Sequence, residues 1–283
     1  MLPPPRRPQQ VTVALPASLT LDIPHLREKT ARIGQIGRAL AIFRVEHAMI
    51  YMDQDTAPAR KEALLVEKIL KFQETPPYLR RELFPVDPDL AFTGILPPLR
   101  TANHPDKKQP EIGSIRDAVV VAAGESSRVN AGFLDPVTVS ARLKPKTIVT
   151  IRLQNVRPGL EGEVVDPARL AIYWGIQVTR EQRALGQILK RSVHDLIIST
   201  SREGTDIREV THQLRERWKS SENPIILFGS PAEGVPKILG RTNDTLPSDS
   251  FNINTFAGQG TETVRTEEAV LGTLAVLNLL MEA

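Results

Sequence analysis

The chain has 283 residues, of which 41% are hydrophobic and 24% charged, an ordinary composition for a globular protein. It contains no cysteine, which excludes disulfides, thiolate catalysis and cysteine-ligated zinc. The formal net charge is only +3, so the total charge does not by itself indicate a nucleic-acid-binding protein.

The N-terminal segment "MLPPPRRPQQ" has two arginines but no apolar stretch after them, which is not the pattern of a signal peptide. The longest nearly continuous apolar run, residues 269–281, is too short to cross a bilayer, which takes about 20 residues. We therefore expect a cytoplasmic protein without a membrane partner.

The first quarter of the chain predicts a β-α-β-α order. Residues 11–15 form a β-branched run, and Asp22 precedes a helical pattern with Pro24 in its first turn. Residues 47–51 are typical of a short buried strand, and residues 57–74 of a second helix. This alternation favours a parallel sheet with crossover helices.

Residues 100–180 differ in texture. Five strand-like runs, "IRDAVVV", "PVTVSA", "TIVTIRL", "GEVV" and "LAIYWGIQV", are separated by turn-rich segments. This spacing predicts an all-β insert, and five strands fit a barrel of the oligonucleotide-binding (OB) type.

From residue 181 the α/β pattern resumes. Strands are predicted at "DLIIST" (195–200), at "PIILFGS" (224–230) and near Phe251, and Thr205 is placed to cap a helix between the first two. We predict one α/β domain made of residues 1–99 and 181–283, interrupted by a β-barrel insert at 100–180.

Charge is distributed unevenly between these parts. The insert has 12 Lys and Arg against 8 Asp and Glu, whereas the rest has 24 against 25. The positive excess of the insert fits a phosphate-backbone partner. An ordinary, well-solvated small barrel would have a similar balance.

Three polar loops follow the C-terminal strands: "STSREG" (199–204), "FGSPAEGV" (228–235) and "NTFAGQGTET" (254–263). Ligands bind at the carboxyl ends of strands in open α/β sheets, and small residues let the backbone approach them. Ordinary turns use the same residues, but three in succession favour a shared pocket.

Other classes of site are disfavoured by spacing. Val235-Pro236 stands where a phosphate-binding P-loop needs Lys and Ser or Thr, and Thr263 replaces the third glycine of a dinucleotide fingerprint. The five histidines form no metal-ligand pair, so no metal is expected.

Arg38 lies on the first helix beside Gly34 and Gly37. Glycine destabilises a helix, so its presence at both positions suggests close packing against a neighbouring element.

Three segments together resemble the SPOUT superfamily of RNA methyltransferases. "IGQIGRALAIFRVEHAMIY" is similar to its first motif, "IILFGSPAEGV" to the second and "FNINTFAGQGTETVRTEEAVLGTLAVLNLL" to the third. The chain looks most like the archaeal and eukaryotic branch with a β-barrel insert. The third motif departs from the Ser-Leu-Asn form of the ribose 2′-O-methylating members, so base and ribose both stay open as targets.

The resemblance implies a trefoil-knotted α/β domain that binds S-adenosyl-L-methionine and acts on RNA as a homodimer through its last helix. It also implies a catalytic role for Arg38, in its own or the partner's site, where it would hold a phosphate or stabilise developing charge. Glu203 and Glu262 are the candidate general bases. The residues expected to bind the cofactor are Ser201, Arg202, Gly229, Ser230, Gly234, Asn254, Thr255, Gly260 and Thr261.

In the insert, four basic residues lie on or beside two adjacent strand-like runs: Arg142, Lys144, Lys146 and Arg152. On one face of the barrel they would form a groove for an RNA backbone. The alternative is a protein without turnover, an RNA-binding or assembly factor in which the knot is only a platform for dimerisation.

Overall fold

The computed structural model describes residues 3–106, 109–191 and 193–281. Its strands are β1 (Thr12–Pro16), β2 (His47–Met52), β3 (Ile115–Ala122), β4 (Ser127–Asn130), β5 (Val137–Val139), β6 (Ile148–Asn155), β7 (Glu161–Val165), β8 (Gln177–Ala184), β9 (Leu196–Asp206), β10 (Pro224–Leu227) and β11 (Phe251–Asn254). Its helices are α1 (Leu26–Ile42), α2 (Ala57–Glu74), α3 (Arg80–Leu83), α4 (Leu185–Lys190), α5 (Ile207–Ser220), α6 (Val235–Gly240) and α7 (Thr266–Met281).

The chain divides into two compact units, each made of separate stretches of sequence. One contains Arg7–Lys71, Ala91–Pro98 and the chain from Ile176 onward, and the other contains Phe72–Leu90 and Leu99–Gly175 with the residues up to Arg6. We call the first the α/β unit and the second the barrel unit.

The α/β unit is built on a six-stranded sheet in the order β11-β9-β10-β1-β2-β8. All neighbouring strands run parallel, and the central β1 pairs with β10 through Val13↔Ile226 and with β2 through Val13↔Ala48. Every residue of β1 is buried, as expected for a parallel strand covered on both faces. The α/β class with a parallel sheet is thus confirmed.

The barrel unit contains a closed five-stranded barrel in the order β3-β4-β5-β7-β6. All pairs are antiparallel except the parallel pair of β5 and β7. Inward-facing side chains such as Val120, Val129 and Ile151 form a separate buried core. A five-stranded barrel in this part of the chain is also confirmed.

One of the five predicted barrel strands is wrong. The run "LAIYWGIQV" is not a barrel strand: β8 begins at Gln177 and forms the edge of the parallel sheet beside β2. The missing strand is β4, "SRVN", which lies in the turn-rich segment between the first two predicted strands. Only Val129 is apolar in it, because the inward position at Ser127 is filled by a buried hydroxyl that donates to Ala141 O.

Two predicted helix starts are also corrected. Helix α1 begins at Leu26 after His25, whereas the carboxylate of Asp22 forms an ion pair of 2.8 Å with Arg32. Helix α5 is capped by Asp206, whose Oδ1 accepts the Arg208 N–H at 3.0 Å, and not by Thr205. Asp206 captures this amide because it is the last residue of β9, directly before the helix.

Helices α1 and α7 pack together within the α/β unit, and Arg32 forms a 3.1 Å ion pair with Glu267 between them. One of the two glycines in α1 has a packing reason, because a Cβ at Gly34 would lie 2.6 Å from the Leu96 side chain. The close packing expected at Gly34 is therefore present. In the described parts of the chain, no helix is long and apolar enough to cross a membrane.

Candidate ligand-binding site

The carboxyl ends of β9, β10 and β11 border a cavity of about 420 Å³ in the α/β unit. Helices α6 and α7, which follow β10 and β11 along the chain, complete its wall. This volume lies in the range of about 300–1,000 Å³ typical of small-molecule sites. The position is the one at which open α/β sheets bind ligands.

The first wall is the loop between β10 and α6, residues 228–234. It is closed by the Ser230 N–H, which donates to Glu233 O at 2.8 Å, and by the Glu233 N–H, which donates to Ser230 Oγ at 3.0 Å. Behind it, the buried Tyr51 hydroxyl donates to Phe228 O at 2.7 Å. Burial, reinforced by the Asp53 carboxylate, raises the pKa of Tyr51, so this hydroxyl keeps its proton and fixes the start of the loop.

The second wall comes from β9, which is longer than predicted. Residues 199–204 are assigned to the strand and not to a loop, and the pairing with β11 jumps from Ser199↔Asn252 to Thr205↔Ile253. The residues between the two pairs therefore bulge from the ladder, which is how a strand re-aims side chains near a site. This bulge brings Ser201 and Arg202 to the cavity.

The third wall is the last residue of β11 and the segment after it, residues 254–265. The Asn254 amide donates to Arg202 O at 2.9 Å, and the Arg202 guanidinium donates to Glu262 O at 2.9 Å. The Gln259 amide donates within the segment to Thr261 O at 2.8 Å. Bulge and segment thus hold each other through side chain–backbone hydrogen bonds.

Helix α7 anchors that segment. The hydroxyls of Thr255 and Thr273 share a hydrogen bond of 2.8 Å, and Thr273 is fully buried. The ring of Phe256 packs against Gly272, where a Cβ would lie 2.3 Å from the ring. The polar loop therefore precedes a core helix because the helix fixes its backbone.

The charged residues that line the cavity are mostly acidic. Glu203, Glu233 and Glu262 stand against Arg202 and Lys237. Glu233 is already paired with Lys237 at 3.2 Å and with Arg241 at 2.5 Å. Its charge is therefore compensated, whereas Glu203 and Glu262 are exposed at the cavity.

Seven of the nine residues predicted to bind the cofactor line this one cavity. They are Ser201, Arg202, Gly229, Ser230, Gly234, Asn254 and Thr255. Gly260 and Thr261 belong to the same segment after β11 but are not among the described residues that line the cavity. The Thr261 hydroxyl instead donates to Thr263 O within that segment, at 3.0 Å. The cofactor role of all nine stays a prediction.

Arg38 is not one of the described residues that line this cavity. It is on α1, partly exposed, and its Nη1 donates to Pro98 O at 2.9 Å. Within one chain the structure does not place Arg38 among the residues that line this cavity, and its catalytic role stays a prediction.

The predicted RNA-binding residues of the barrel separate into two places. Arg142, Lys144 and Lys146 are exposed in the connection between β5 and β6. Arg152 lies on β6 and forms an ion pair of 3.2 Å with Glu163 on β7. Between them the outward-facing Thr150 is buried, because its hydroxyl donates to the Asp117 carboxylate. Three of the four thus form a cluster.

Several lining residues were not predicted from the sequence. Glu233 and Lys237 flank the start of α6, and Thr273 lies two turns into α7. Thr273 gives no signal in an apolar helix pattern, because a buried threonine there is indistinguishable from a packing residue. Glu233 falls inside the quoted loop, and its three-residue spacing from Ser230 could have indicated the turn.

Fold and site together define an α/β protein with a ligand cavity at the carboxyl ends of parallel strands and an appended β-barrel. The chain belongs to the family described as "Putative RNA methyltransferase", whose model matches residues 10–277. The resemblance to RNA methyltransferases seen in the sequence is thereby confirmed.

Individual relatives agree with this assignment. The chain is 33% identical to an uncharacterised protein of Halobacterium salinarum, over 95% of this chain and 98% of the relative. It is 31% identical to the 28S rRNA (uridine-N(3))-methyltransferase of Mus musculus, over 96% of this chain and 76% of the relative. The Homo sapiens protein of the same name is also 31% identical, over 96% and 78% of the two chains.

Proposed function

We propose that the protein transfers a methyl group from S-adenosyl-L-methionine to N3 of a uridine in ribosomal RNA. The observation that carries this proposal is the 420 Å³ cavity, because seven residues chosen from three separate polar segments of the sequence meet there. The names of the two mammalian relatives supply the target atom. The knotted path of the chain through this region, which the resemblance implies, is part of the proposal.

The cavity suits this cofactor in size and charge. S-adenosyl-L-methionine carries a sulfonium, an ammonium and a carboxylate, and so has one net positive charge. The lining has three carboxylates and two basic side chains, which is the complementary sign. The wall is open at Gly234, where the nearest atoms to a Cβ would be 3.8 Å away. Gly229, Asn254 and Thr255 would hold the cofactor with backbone groups and short side chains.

The bound cofactor supplies an electrophilic methyl group. Uridine N3 carries a hydrogen, so transfer to this atom requires that its proton leave. Among the lining residues, Glu203 and Glu262 are exposed carboxylates, and we assign the acceptance of this proton to one of them. Glu233 is less suited, because Lys237 and Arg241 already compensate its charge.

Arg38 stabilises the negative charge that loss of this proton spreads over the uracil carbonyl oxygens. A guanidinium keeps its proton in proteins, so it acts as a fixed cation and not as a base. Because Arg38 does not line the cavity of its own chain, we place it in the site of a second subunit.

A homodimer through α7 is supported by that helix's exposed apolar stripe. Leu271 is 47% exposed and Leu279 72% exposed, with Ala275 exposed between them at helical spacing. Such a stripe on an otherwise buried helix is typical of an interface.

The barrel supplies RNA affinity through its exposed basic connection. Lys144 and Lys146 have no acidic residue between them in sequence and are both exposed. Replacing both with Gln should lower the slope of log Kd against log salt concentration by about 1.4, because each lost phosphate contact contributes about 0.7 to that slope. An unchanged dependence would place the RNA elsewhere.

Calorimetry with S-adenosylhomocysteine, the demethylated cofactor, tests the proposal. We expect binding near a micromolar Kd, about −8 kcal/mol. Failure to detect binding at millimolar ligand would refute the cofactor assignment. Binding without methyl transfer would favour the alternative, an RNA-binding factor without turnover.

A further inference from the structure

A second cavity of about 1030 Å³ lies in the α/β unit at the carboxyl ends of β2 and β8. Its wall is formed by the residues after β2, the first turns of α2, the start of α4 and the end of α6. No step of the proposed reaction uses it. Its place on the sheet is again the edge at which such folds bind ligands.

Arginines dominate the charged lining of this cavity. Four line it, at positions 60, 180, 183 and 241, against two aspartates, Asp53 and Asp55. All four are ion-paired; Arg180 is held by Glu67 at 2.9 Å and Arg241 by Glu233, so Arg60 and Arg183 are the ones whose pairs an anion would exchange. Asp53 is buried and accepts hydrogen bonds from both the N–H and the hydroxyl of Ser18, so its charge is engaged inside the unit.

The two outermost arginines can exchange partners. Arg60 is 63% exposed and pairs with Asp55, which is 82% exposed, and Arg183 is 43% exposed and pairs with Glu181 at 2.8 Å. Exposed ion pairs of this kind are weak, so an incoming phosphate can replace the carboxylates. Next to Arg183, the exposed amide of Gln182 offers further hydrogen bonds.

The second cavity is a neighbour of the first. Lys237 of α6 lines the first cavity, whereas Ile238 lines the second, with Arg241 just past the end of the helix. The ion pair between Glu233 and Arg241 joins a lining residue of one to a lining residue of the other. Helix α6 and the residue just after it therefore border both cavities.

We propose that this second cavity binds the sugar–phosphate backbone of the substrate RNA beside the methylated nucleotide. The inference rests on the proposed function and assigns the flanking nucleotides to the arginine-lined cavity. A partly exposed Leu64 at its edge provides apolar surface for a base. Arginine is suited to this role because its guanidinium binds phosphate with two parallel hydrogen bonds.

The test is the salt dependence of binding to a fluorescein-labelled oligouridylate of about 12 nucleotides, measured by anisotropy. The double variant Arg60→Gln/Arg183→Gln should lower the slope of log Kd against log salt concentration by about 1.4, because each of the two lost phosphate contacts contributes about 0.7. The affinity for S-adenosylhomocysteine should not change, because neither residue lines the first cavity.

The matched control is Arg217→Gln. Arg217 is 39% exposed and ion-paired with Asp249, and it donates to Asp195 O at the amino end of β9, the opposite edge of the sheet. Its slope should equal that of the wild type. Gln182→Glu, which adds a negative charge without breaking an ion pair, should weaken RNA binding and serves if the double variant does not fold.

The outcomes separate this inference from the proposed function. Equal slopes for the double variant and the control overturn the inference. A wild type that binds S-adenosylhomocysteine but not the oligouridylate also overturns it, while leaving the cofactor site intact. A wild type that binds neither overturns the proposed function itself.

Discussion

The loop between β10 and α6 offers the sharpest test of the cavity, through Gly229→Ala. A Cβ at Gly229 would lie 2.5 Å from the carbonyl oxygen of Glu233. Ordinary contacts are about 3.5 Å, so this carbonyl would have to move by about 1 Å. The same oxygen accepts the Ser230 N–H at 2.8 Å, and that hydrogen bond closes the loop.

The cost follows from these contacts. Loss of one hydrogen bond costs about 1 kcal/mol, and forcing an extra methyl group into a packed site costs about 1–3 kcal/mol. We therefore expect Gly229→Ala to lose about 2 kcal/mol of stability and to lower the Tm by about 4–8 °C. Because the displaced carbonyl borders the cavity, the affinity for S-adenosylhomocysteine should fall at least about tenfold.

The assay is thermal unfolding with and without S-adenosylhomocysteine, combined with calorimetry. At a ligand concentration about 100 times its Kd, the wild type should gain about 2.7 kcal/mol, and the variant clearly less. The control is Gly240→Ala at the end of α6, where a Cβ would meet no atom within 4 Å. A Gly229→Ala protein with wild-type Tm and wild-type affinity would refute the reasoning about this loop.

Three further predictions concern other parts of the molecule. Arg38→Ala should keep the fold and the cofactor affinity but lower the methyl-transfer rate about 100-fold, and Arg38→Lys should recover part of that rate. The control Arg27→Ala, on the same helix, should keep the wild-type rate. A wild-type rate in Arg38→Ala would contradict the catalytic assignment. Leu279→Glu should convert a dimer to a monomer in sedimentation experiments, and an unchanged mass would exclude α7 as the interface. Burial lowers the pKa of His194, so the unfolded chain binds more protons than the folded one. The free energy of unfolding should therefore fall as the pH drops below about 6.5, by at most about 1.4 kcal/mol per pH unit for this group. His194→Gln should reduce that pH dependence in denaturant titrations.

Much of the fold was predictable because hydrophobic periodicity is dictated by burial. The parallel strands β1 and β2 are apolar on both faces, and α1 repeats its apolar residues at helical spacing. The pattern fails where a strand is short and polar. Strand β4 has one apolar side chain, Val129, and is specified by its neighbours β3 and β5 and not by its own residues.

The site was predictable to the extent that it is made of contiguous loops. Gly229, Asn254 and Thr255 line the cavity because each lies at or just past the carboxyl end of a parallel strand, and carboxyl ends of parallel strands meet at one edge. The bulge that carries Ser201 arises from an irregular pairing of β9 with β11, which no local pattern encodes. Arg38 does not line this cavity, and its position on α1 could not be related to the cavity by sequence spacing.

The second cavity has no sequence signal, because its arginines come from three distant stretches. Arg60 lies on α2, Arg183 on β8 and Arg241 just after α6. Each alone is an ordinary surface arginine in an ion pair. Only the sheet order, which places β8 beside β2 at the edge, assembles them.

Mass spectrometry of nucleosides most directly tests whether the protein transfers a methyl group to uridine N3. Unmodified ribosomal RNA is incubated with the protein and S-adenosyl-L-methionine that carries a deuterated methyl group, and is then digested to nucleosides. We expect deuterated 3-methyluridine at a single position of the RNA. No deuterated nucleoside, or label only on a ribose 2′-oxygen, would contradict it.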